Sequence, residues 1–195
     1  RGKPADNHHV GPMHPEFADI GPAKRDVDAA KKLLAESGKA DHEYELISVD
    51  IEWQKGTADA IAAQMRETGL RIKRTVLPAA TFWNDWSKYP FSCTEWLGRP
   101  LGVQVLALAY KSGAAWNESA FSDKEFDELL DKALAMPDAK ARKEVMGKIE
   151  HILRDSGIII QPYWRSVYRT YRKGVHGLEQ HQALEQHFEK VWLEG

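Results

Sequence analysis

Residues 122–157 constrain the fold more than any other part of the chain, because their apolar residues recur at helical spacing. A Ser-x-x-Glu capping box at Ser122 predicts the start of one helix. Pro137 separates it from a second helix, which ends at Gly157. The predicted core faces of the two helices are Phe126, Leu129, Leu130, Ala133 and Leu134, then Ala141, Val145, Met146, Ile149, Ile152 and Leu153. A helix pair without a reactive motif favours a scaffold that holds a ligand.

Helix and strand patterns alternate upstream of this pair. Asp26 and Thr57 are the predicted N-caps of two helices, and residues 103–110 fit either a helix or a strand. The other predicted elements are helices at 27–38, 58–69 and 79–87 and strands at 44–49, 70–76, 91–96, 158–163 and 167–171. This alternation predicts an α/β fold in which helices cover a mixed sheet. We expect a single domain over residues 1–195, with irregular segments at 1–25 and 174–195.

Composition excludes several classes of protein. The net charge of −2 over 195 residues offers no basic surface for nucleic acid. The longest apolar runs, of about five residues, are far shorter than a membrane span requires. The single cysteine, Cys93, excludes an internal disulfide framework, and we expect it to be buried. The chain begins at Arg1 instead of Met, which favours a piece of a longer protein.

The motifs of common enzymes are missing from the sequence. It contains neither a Gly-rich phosphate loop, a G-x-S-x-G elbow nor a C-x-x-C pair. We therefore predict a protein that is not an enzyme and needs no cofactor. Neutral imidazole is a good ligand for zinc, nickel or copper, so a metal site remains the alternative to structural histidines. The histidines concerned are His8, His9 and His14 in the first segment and His176, His181 and His187 in the last.

Aromatic and polar residues around a Gly-rich middle segment suggest a small-molecule pocket. Trp96 and Trp116 are the candidate aromatic walls. Arg99 can bind an anion bidentately, and Asn117 can offer an amide just before a helix. Glu95 lies in an apolar strand, where a carboxylate needs a partner. It is a candidate either for structural pairing with Arg99 or for ligand contact.

Six segments together resemble the C-terminal lobe of the dipeptide-, oligopeptide- and nickel-binding class of periplasmic solute-binding proteins of ABC importers (extracellular solute-binding protein family 5). Asp26–Gly38 is similar to the family's D-x-x-K-A-K-x-L-L-x-E-A-G helix. The other five are Ala58–Ile72, Phe82–Trp96, Trp116–Leu130, Arg142–Leu153 and Ile158–Tyr163, which follow in the family's order and at about its spacing. The likeness covers nearly the whole chain.

The resemblance implies one lobe of a type II-like, two-lobe fold that closes on a solute. A missing N-terminal lobe would supply the other wall, and the partner would be the membrane permease of an importer. The implied function is solute capture in the periplasm without catalysis. Nickel or metal-chelate binding by the same family is the alternative.

One departure from the family bears on the ligand. Peptide-binding members carry an Asp shortly after the strand tryptophan, where it holds the ligand's α-ammonium group. Here Trp96 is followed by Leu97-Gly98-Arg99-Pro100. Because Arg99 would repel a free amine in a poorly solvated cleft, we expect a polar or anionic solute, such as a sugar acid or an opine-like compound, over an ordinary peptide. The expected ligand-binding residues are Trp96, Arg99, Trp116, Asn117 and, less directly, Glu95.

Overall fold

A computed structural model describes residues 2–181 and 183–195. They form two compact units: unit 1 comprises Arg1–Ala23 and Leu97–Gly195, and unit 2 comprises Lys24–Trp96. In chain order the elements are β1 (Gly2–Pro4), α1 (Val27–Glu36), β2 (Glu43–Val49), α2 (Glu52–Glu67), β3 (Arg71–Leu77), α3 (Ala79–Asp85), β4 (Ser92–Cys93), α4 (Gly102–Ala109), α5 (Lys124–Leu134), α6 (Ala139–Ser156), β5 (Tyr163–Arg165), β6 (Val175–His176) and β7 (Trp192–Leu193).

Unit 2 is built on a parallel sheet of three strands in the order β3-β2-β4. Successive side chains of β2 point to opposite faces of this sheet. On one face Leu46 packs with Ala58 and Ala62 of α2. On the other face Ile47 packs with Phe82 of α3. Since helices cover both faces, residues 46–49 of β2 are all buried, and Ser48 is the polar residue among them.

Three expectations for unit 2 are wrong in detail. Thr57 is not an N-cap: α2 begins at Glu52, and the Thr57 hydroxyl donates to the carbonyl of Trp53 inside the helix, at 2.7 Å. The strand expected at 91–96 pairs only over Ser92–Cys93. Cys93 is half-buried and packs at the edge of the core.

Unit 1 contains α4, α5, α6 and two antiparallel strand pairs, β1–β5 and β6–β7. Asp123 caps α5 by accepting the backbone N–H of Phe126 at 2.8 Å. Asp138 caps α6 in the same way, as expected, and accepts from the N–H of Lys140. The cap of α5 therefore lies one residue beyond the predicted Ser122.

Several core predictions for unit 1 need correction. Leu134 is 44% exposed and Ala141 is exposed, whereas Arg142 next to it is buried. Residues 158–163 do not form the predicted buried strand: the N–H of Gln161 donates to the side chain of Asn7, at 2.7 Å, instead of to a neighbouring strand. Residues 167–171 are irregular, and residues 102–109 form helix α4.

No helix in the part of the chain that the structure describes is long and apolar enough to cross a membrane.

Two glycines on helices give opposite predictions. Gly157 ends α6 in the left-handed conformation, with φ of 67°, so Gly157→Ala should lower the free energy of unfolding by about 1 kcal/mol. Gly56 lies inside α2 with open space around it, so Gly56→Ala should raise that free energy by about 0.5–1 kcal/mol. Urea unfolding of both variants measures the two changes. Equal changes in the two variants would contradict the role assigned to the left-handed residue.

Candidate functional site

The first segment of the chain, which comprises residues 2–23, runs through the interior of unit 1. Val10 is completely buried and packs against Gly102 so closely that a Cβ on Gly102 would lie 2.8 Å from a Val10 methyl group. Gln161 holds the segment from another side, since its Oε1 accepts the backbone N–H of His9 at 3.0 Å. The segment is irregular, but it is a structural part of the unit and not a solvated tail.

Glu16 is the polar centre of this segment and is fully buried. Its Oε1 accepts the backbone N–H of Val103, at 3.1 Å, in the first turn of α4. The same oxygen accepts from Nη1 of Arg142 on α6, at 3.3 Å. Arg142 also donates to the backbone carbonyl of Met136, between α5 and α6. One carboxylate thus connects the first segment, α4 and α6.

Three histidines predicted in a loop are buried in unit 1. His9 Nδ1 lies 2.9 Å from the hydroxyl of Tyr110, and His14 Nδ1 accepts the N–H of Gly11 at 3.0 Å. Burial lowers the pKa of His9 to about 3 and that of His8 to about 4. Burial also lowers the pKa of His14 and raises that of Tyr110. These imidazoles are neutral parts of the core at neutral pH.

His8 faces a buried carboxyl group on α6. Its Nδ1 lies 4.0 Å from Oε2 of Glu150, and the two side chains are 2% and 0% exposed. Glu150 Oε1 accepts the backbone N–H of Ala18 at 3.3 Å. Burial is the main cause that raises the pKa of Glu150 to about 8. Residues 2–181 and 183–195 contain no group of three or more His, Cys, Asp or Glu side chains arranged to hold a metal ion.

Asn117 organises the loop between α4 and α5. Its Nδ2 donates to the carbonyl of Phe121 at 2.8 Å and to the carbonyls of Lys111 and Tyr110 at 3.2 and 3.4 Å. Its Oδ1 accepts the N–H of Phe121 at 3.1 Å and the hydroxyl of Ser119 at 3.0 Å. The amide predicted to reach a ligand is thus engaged inside its own loop.

The loop surrounds a shallow cavity of about 290 Å³ lined by Gly113, Ala114, Asn117, Ala120, Phe121 and Ser122. Ala120 adopts a left-handed backbone, with φ of 52°, which disfavours any residue with a Cβ. Trp116, the predicted aromatic wall, is 47% exposed. The loop therefore holds a rigid backbone that presents an accessible indole ring.

Arg99 is half-buried in unit 1. Its Nη1 lies 3.4 Å from the carbonyl of Leu97, which is a weak hydrogen bond. Within the described part of unit 1 its guanidinium forms no ion pair. The contact with Leu97 involves one nitrogen of a guanidinium that has five N–H donors.

Glu95 and Trp96 end unit 2, and both are half-buried. The ring of Trp96 meets that of Trp86 edge to face, with centroids 6.1 Å apart. The five predicted residues are thus divided: Glu95 and Trp96 belong to unit 2, and Arg99, Trp116 and Asn117 belong to unit 1. Their common contact with a ligand remains a prediction.

Sequence reasoning missed the buried polar residues Glu16, Arg142 and Glu150. Arg142 directly follows Ala141 and Glu150 directly follows Ile149, and both Ala141 and Ile149 belong to the predicted core face of α6, which was the available signal. Glu16 lies in a segment without periodicity, so the sequence offered no pattern that could predict its burial.

Comparisons with known proteins agree with this fold. No family model matches the chain. The dipeptide-binding protein DppE of Bacillus subtilis (strain 168) is 24% identical over 166 residues, which are 81% of this chain and 31% of that protein. The ABC transporter-associated periplasmic binding protein DppA from Helicobacter pylori, in complex with the peptide STSA, superposes with a TM-score of 0.81 and 20% identity over 100% of this chain and 40% of that chain.

A nickel-binding structure is also similar. NikA from Staphylococcus aureus, in complex with Ni(L-His)2, matches with a TM-score of 0.66 and 20% identity over 79% of this chain and 35% of that chain. The chain spans 31–40% of the length of these three proteins. The α/β fold is therefore that of a lobe of periplasmic solute-binding proteins. The predicted fold class and the resemblance on which it rested are confirmed.

Glu16→Gln should lower the free energy of unfolding by about 3 kcal/mol, because the Arg142 guanidinium loses its buried counter-charge. Glu128→Gln is the matched control: this exposed carboxylate lies 3.6 Å from Lys124, and its loss should change stability by less than about 0.5 kcal/mol. Urea unfolding measures both variants. A Glu16→Gln protein as stable as the control would contradict the connecting role of this carboxylate.

Asn117→Asp should lower the free energy of unfolding by about 2 kcal/mol, because three backbone carbonyls lose their donor and face a carboxylate instead. Amide hydrogen exchange should accelerate over residues 111–122. Asn84→Asp applies the same chemical change at an exposed position in α3 and should leave exchange in this loop unchanged. Unaltered exchange in Asn117→Asp would show that the loop does not depend on the amide.

Proposed function

We propose that this chain is one lobe of the substrate-binding component of an ABC importer. In this role it captures a small solute in the periplasm and delivers it to a membrane permease, without chemical change to the solute. The carrying observation is the similarity over the whole chain to a peptide-binding structure, with a TM-score of 0.81. The similar proteins are solute-binding proteins and not enzymes, which supports a binding function.

The remainder of a longer polypeptide is the proposed first partner. Most of each similar protein lies outside the region that this chain matches. Residues 160–193 include several exposed large apolar side chains, an arrangement typical of a surface that another part of the protein covers. These side chains are Ile160, Val167, Tyr168, Tyr171, Leu184, Phe188, Trp192 and Leu193. We propose that the second lobe packs against them.

Arg99 is the proposed anchor of the solute. Its guanidinium is half-buried, and its contact with the Leu97 carbonyl leaves donors available. A guanidinium binds a carboxylate or phosphate through two parallel hydrogen bonds and repels an ammonium group. We therefore favour a solute that presents an anionic group, such as a sugar acid, an opine-like compound or the carboxylate end of a peptide.

Trp96 and Trp116 are the proposed aromatic walls. Trp116 is accessible and stands on a loop that Asn117 makes rigid, so little entropy is lost when the ring contacts a solute. We assign Asn117 the role of supporting Trp116. Glu95, half-buried beside Trp96, remains a secondary candidate for solute contact.

Nickel-chelate capture is the second candidate function, since the NikA structure in complex with Ni(L-His)2 shares the fold. Burial of His8 and His9 argues against direct coordination by the first histidine cluster. A chelate whose own carboxylates face Arg99 would need no histidine from this chain. Mass spectrometry of the solute that copurifies with the full-length protein distinguishes these candidates: an organic anion supports the first, and bound nickel supports the second.

Arg99→Gln should weaken binding of the copurified anionic solute by about tenfold to a hundredfold, because a charge-assisted hydrogen bond contributes about 1.5–3 kcal/mol. Titration calorimetry of the full-length protein measures the change. Arg71→Gln removes an exposed arginine of β3 and serves as the control, with unchanged affinity expected.

Two results would oppose the proposal. Tight binding of uncharged or cationic solutes, unaffected by Arg99→Gln, would remove Arg99 as the anchor while leaving the transport role intact. A full-length protein that retains no solute, and binds neither peptides, sugar acids nor nickel chelates, would contradict the transport role itself.

A further inference from the structure

The buried pair of His8 and Glu150 leaves polar atoms without partners. Within residues 2–181 and 183–195, both ring nitrogens of His8 and Oε2 of Glu150 form no hydrogen bond. Burying a polar atom without a hydrogen-bond partner destabilises the folded state, and the penalty is larger when the group is charged. His8 Nδ1 and Glu150 Oε2 face each other at 4.0 Å, which is longer than a hydrogen bond.

The surroundings of the pair favour a total charge of zero. The charged and titratable groups that act on it come from the first segment and from α6: they are Asp6, Glu16, Asp19, His151 and Arg154. Three of these are acidic and oppose a free carboxylate on Glu150. Arg142, which could offset that carboxylate, is bonded to Glu16. A single proton on Glu150, facing a neutral His8 ring, satisfies these conditions.

The pair also joins two elements of unit 1. His8 belongs to the first segment, and its ring stacks on Phe17 with centroids 6.1 Å apart. Glu150 belongs to α6 and accepts the N–H of Ala18. The chain between His8 and Ala18 is thus held at both ends by contacts with one carboxyl group.

We propose that His8 and Glu150 share one buried proton, and that loss of this proton in mildly alkaline solution loosens residues 8–18 from α6. No catalytic or ligand-binding role is involved, so this inference is independent of the proposed function. Deprotonation would leave a buried carboxylate next to Glu16 and Asp19, while Arg154 contacts Asp155 and the carbonyls of Ile20 and Gly21 instead. Release of the segment allows water to solvate that carboxylate.

The sign of the pH dependence follows from the protons bound in each state. In the closed state the pKa of Glu150 is raised to about 8, whereas a solvated glutamate has already lost its proton well below neutral pH. His8, His9 and His14 have lowered pKa values in the closed state, so their release binds protons below about pH 7.5 and opposes the effect of Glu150 there. The contribution of Glu150 itself makes the closed state less stable as pH rises to about 8, and a variant without the Glu150 carboxyl group separates the two contributions.

Amide hydrogen exchange of the full-length protein between pH 6 and 9 tests this device. Glu150→Gln keeps an acceptor for the Ala18 N–H but cannot ionise, so it retains the response of the histidines and lacks that of the carboxyl group. After correction for the intrinsic rate, the ratio of wild-type to Glu150→Gln protection over residues 8–18 should fall about 30-fold between pH 6.5 and 9 and then level off. Glu144→Gln, at an exposed position of α6, is the control and should behave as the wild type.

A second measurement keeps the proposal testable if Glu150→Gln does not fold. In the wild-type protein, ¹³C NMR of the Glu150 carboxyl and ¹⁵N NMR of the His8 ring should show both groups responding to one titration near pH 8. A Glu150 carboxyl that titrates in the range of a solvated glutamate would overturn the proposal. So would protection of residues 8–18 whose pH dependence is the same in the wild type and in Glu150→Gln.

Discussion

The ion pair between Glu16 and Arg142 is the interaction on which unit 1 depends. A single carboxylate oxygen meets the N-terminal turn of α4 and the guanidinium of α6, while the same guanidinium holds the carbonyl of Met136. Side chains such as Gln161 and Glu150 also accept backbone N–H groups of the first segment, but Glu16 carries the ion pair between this segment and α6. Beyond β1 the segment is irregular, so its path there depends on such side-chain contacts and not on a strand ladder.

Such a buried pair is not required for stability alone, since well-packed apolar residues of similar volume often stabilise as much or more. Its effect here is specificity: the short-range geometry of a bonded carboxylate selects one path for residues 5–20 among many apolar alternatives. His8 and Glu150 also connect the first segment to α6. Because both are neutral, their burial costs less desolvation free energy than that of an ion pair. Unit 1 therefore combines one charged connection and one neutral connection between the same two elements.

Local signals were sufficient to predict most of the fold. Asp26, Asp138 and Gly157 mark helix ends through contacts within a few residues of themselves, and the strands at 43–49 and 71–77 follow from alternating or continuous apolar runs. Two helix starts were also misplaced, at Thr57 and Ser122, but the larger failures concern long-range contacts. Residues 158–163 are apolar enough for a strand, but their path depends on Asn7 and His9, more than 150 residues away. Glu16 likewise acquires its role only through partners at positions 103 and 142.

In the candidate site, residue type alone did not predict which contacts a side chain forms. Residue type predicted that Asn117 could offer an amide to a solute, but the five hydrogen bonds of that amide are all local, within seven residues. Because its amide is bonded within the loop, Asn117 holds the backbone that carries Trp116 and has few hydrogen-bonding groups left for a solute. Arg99 is the reverse case, a long side chain with one weak bond. If Trp116 and Arg99 bind the solute as proposed, the ring would contact its body and the guanidinium its anionic group, so solutes that share this group and differ elsewhere could be bound.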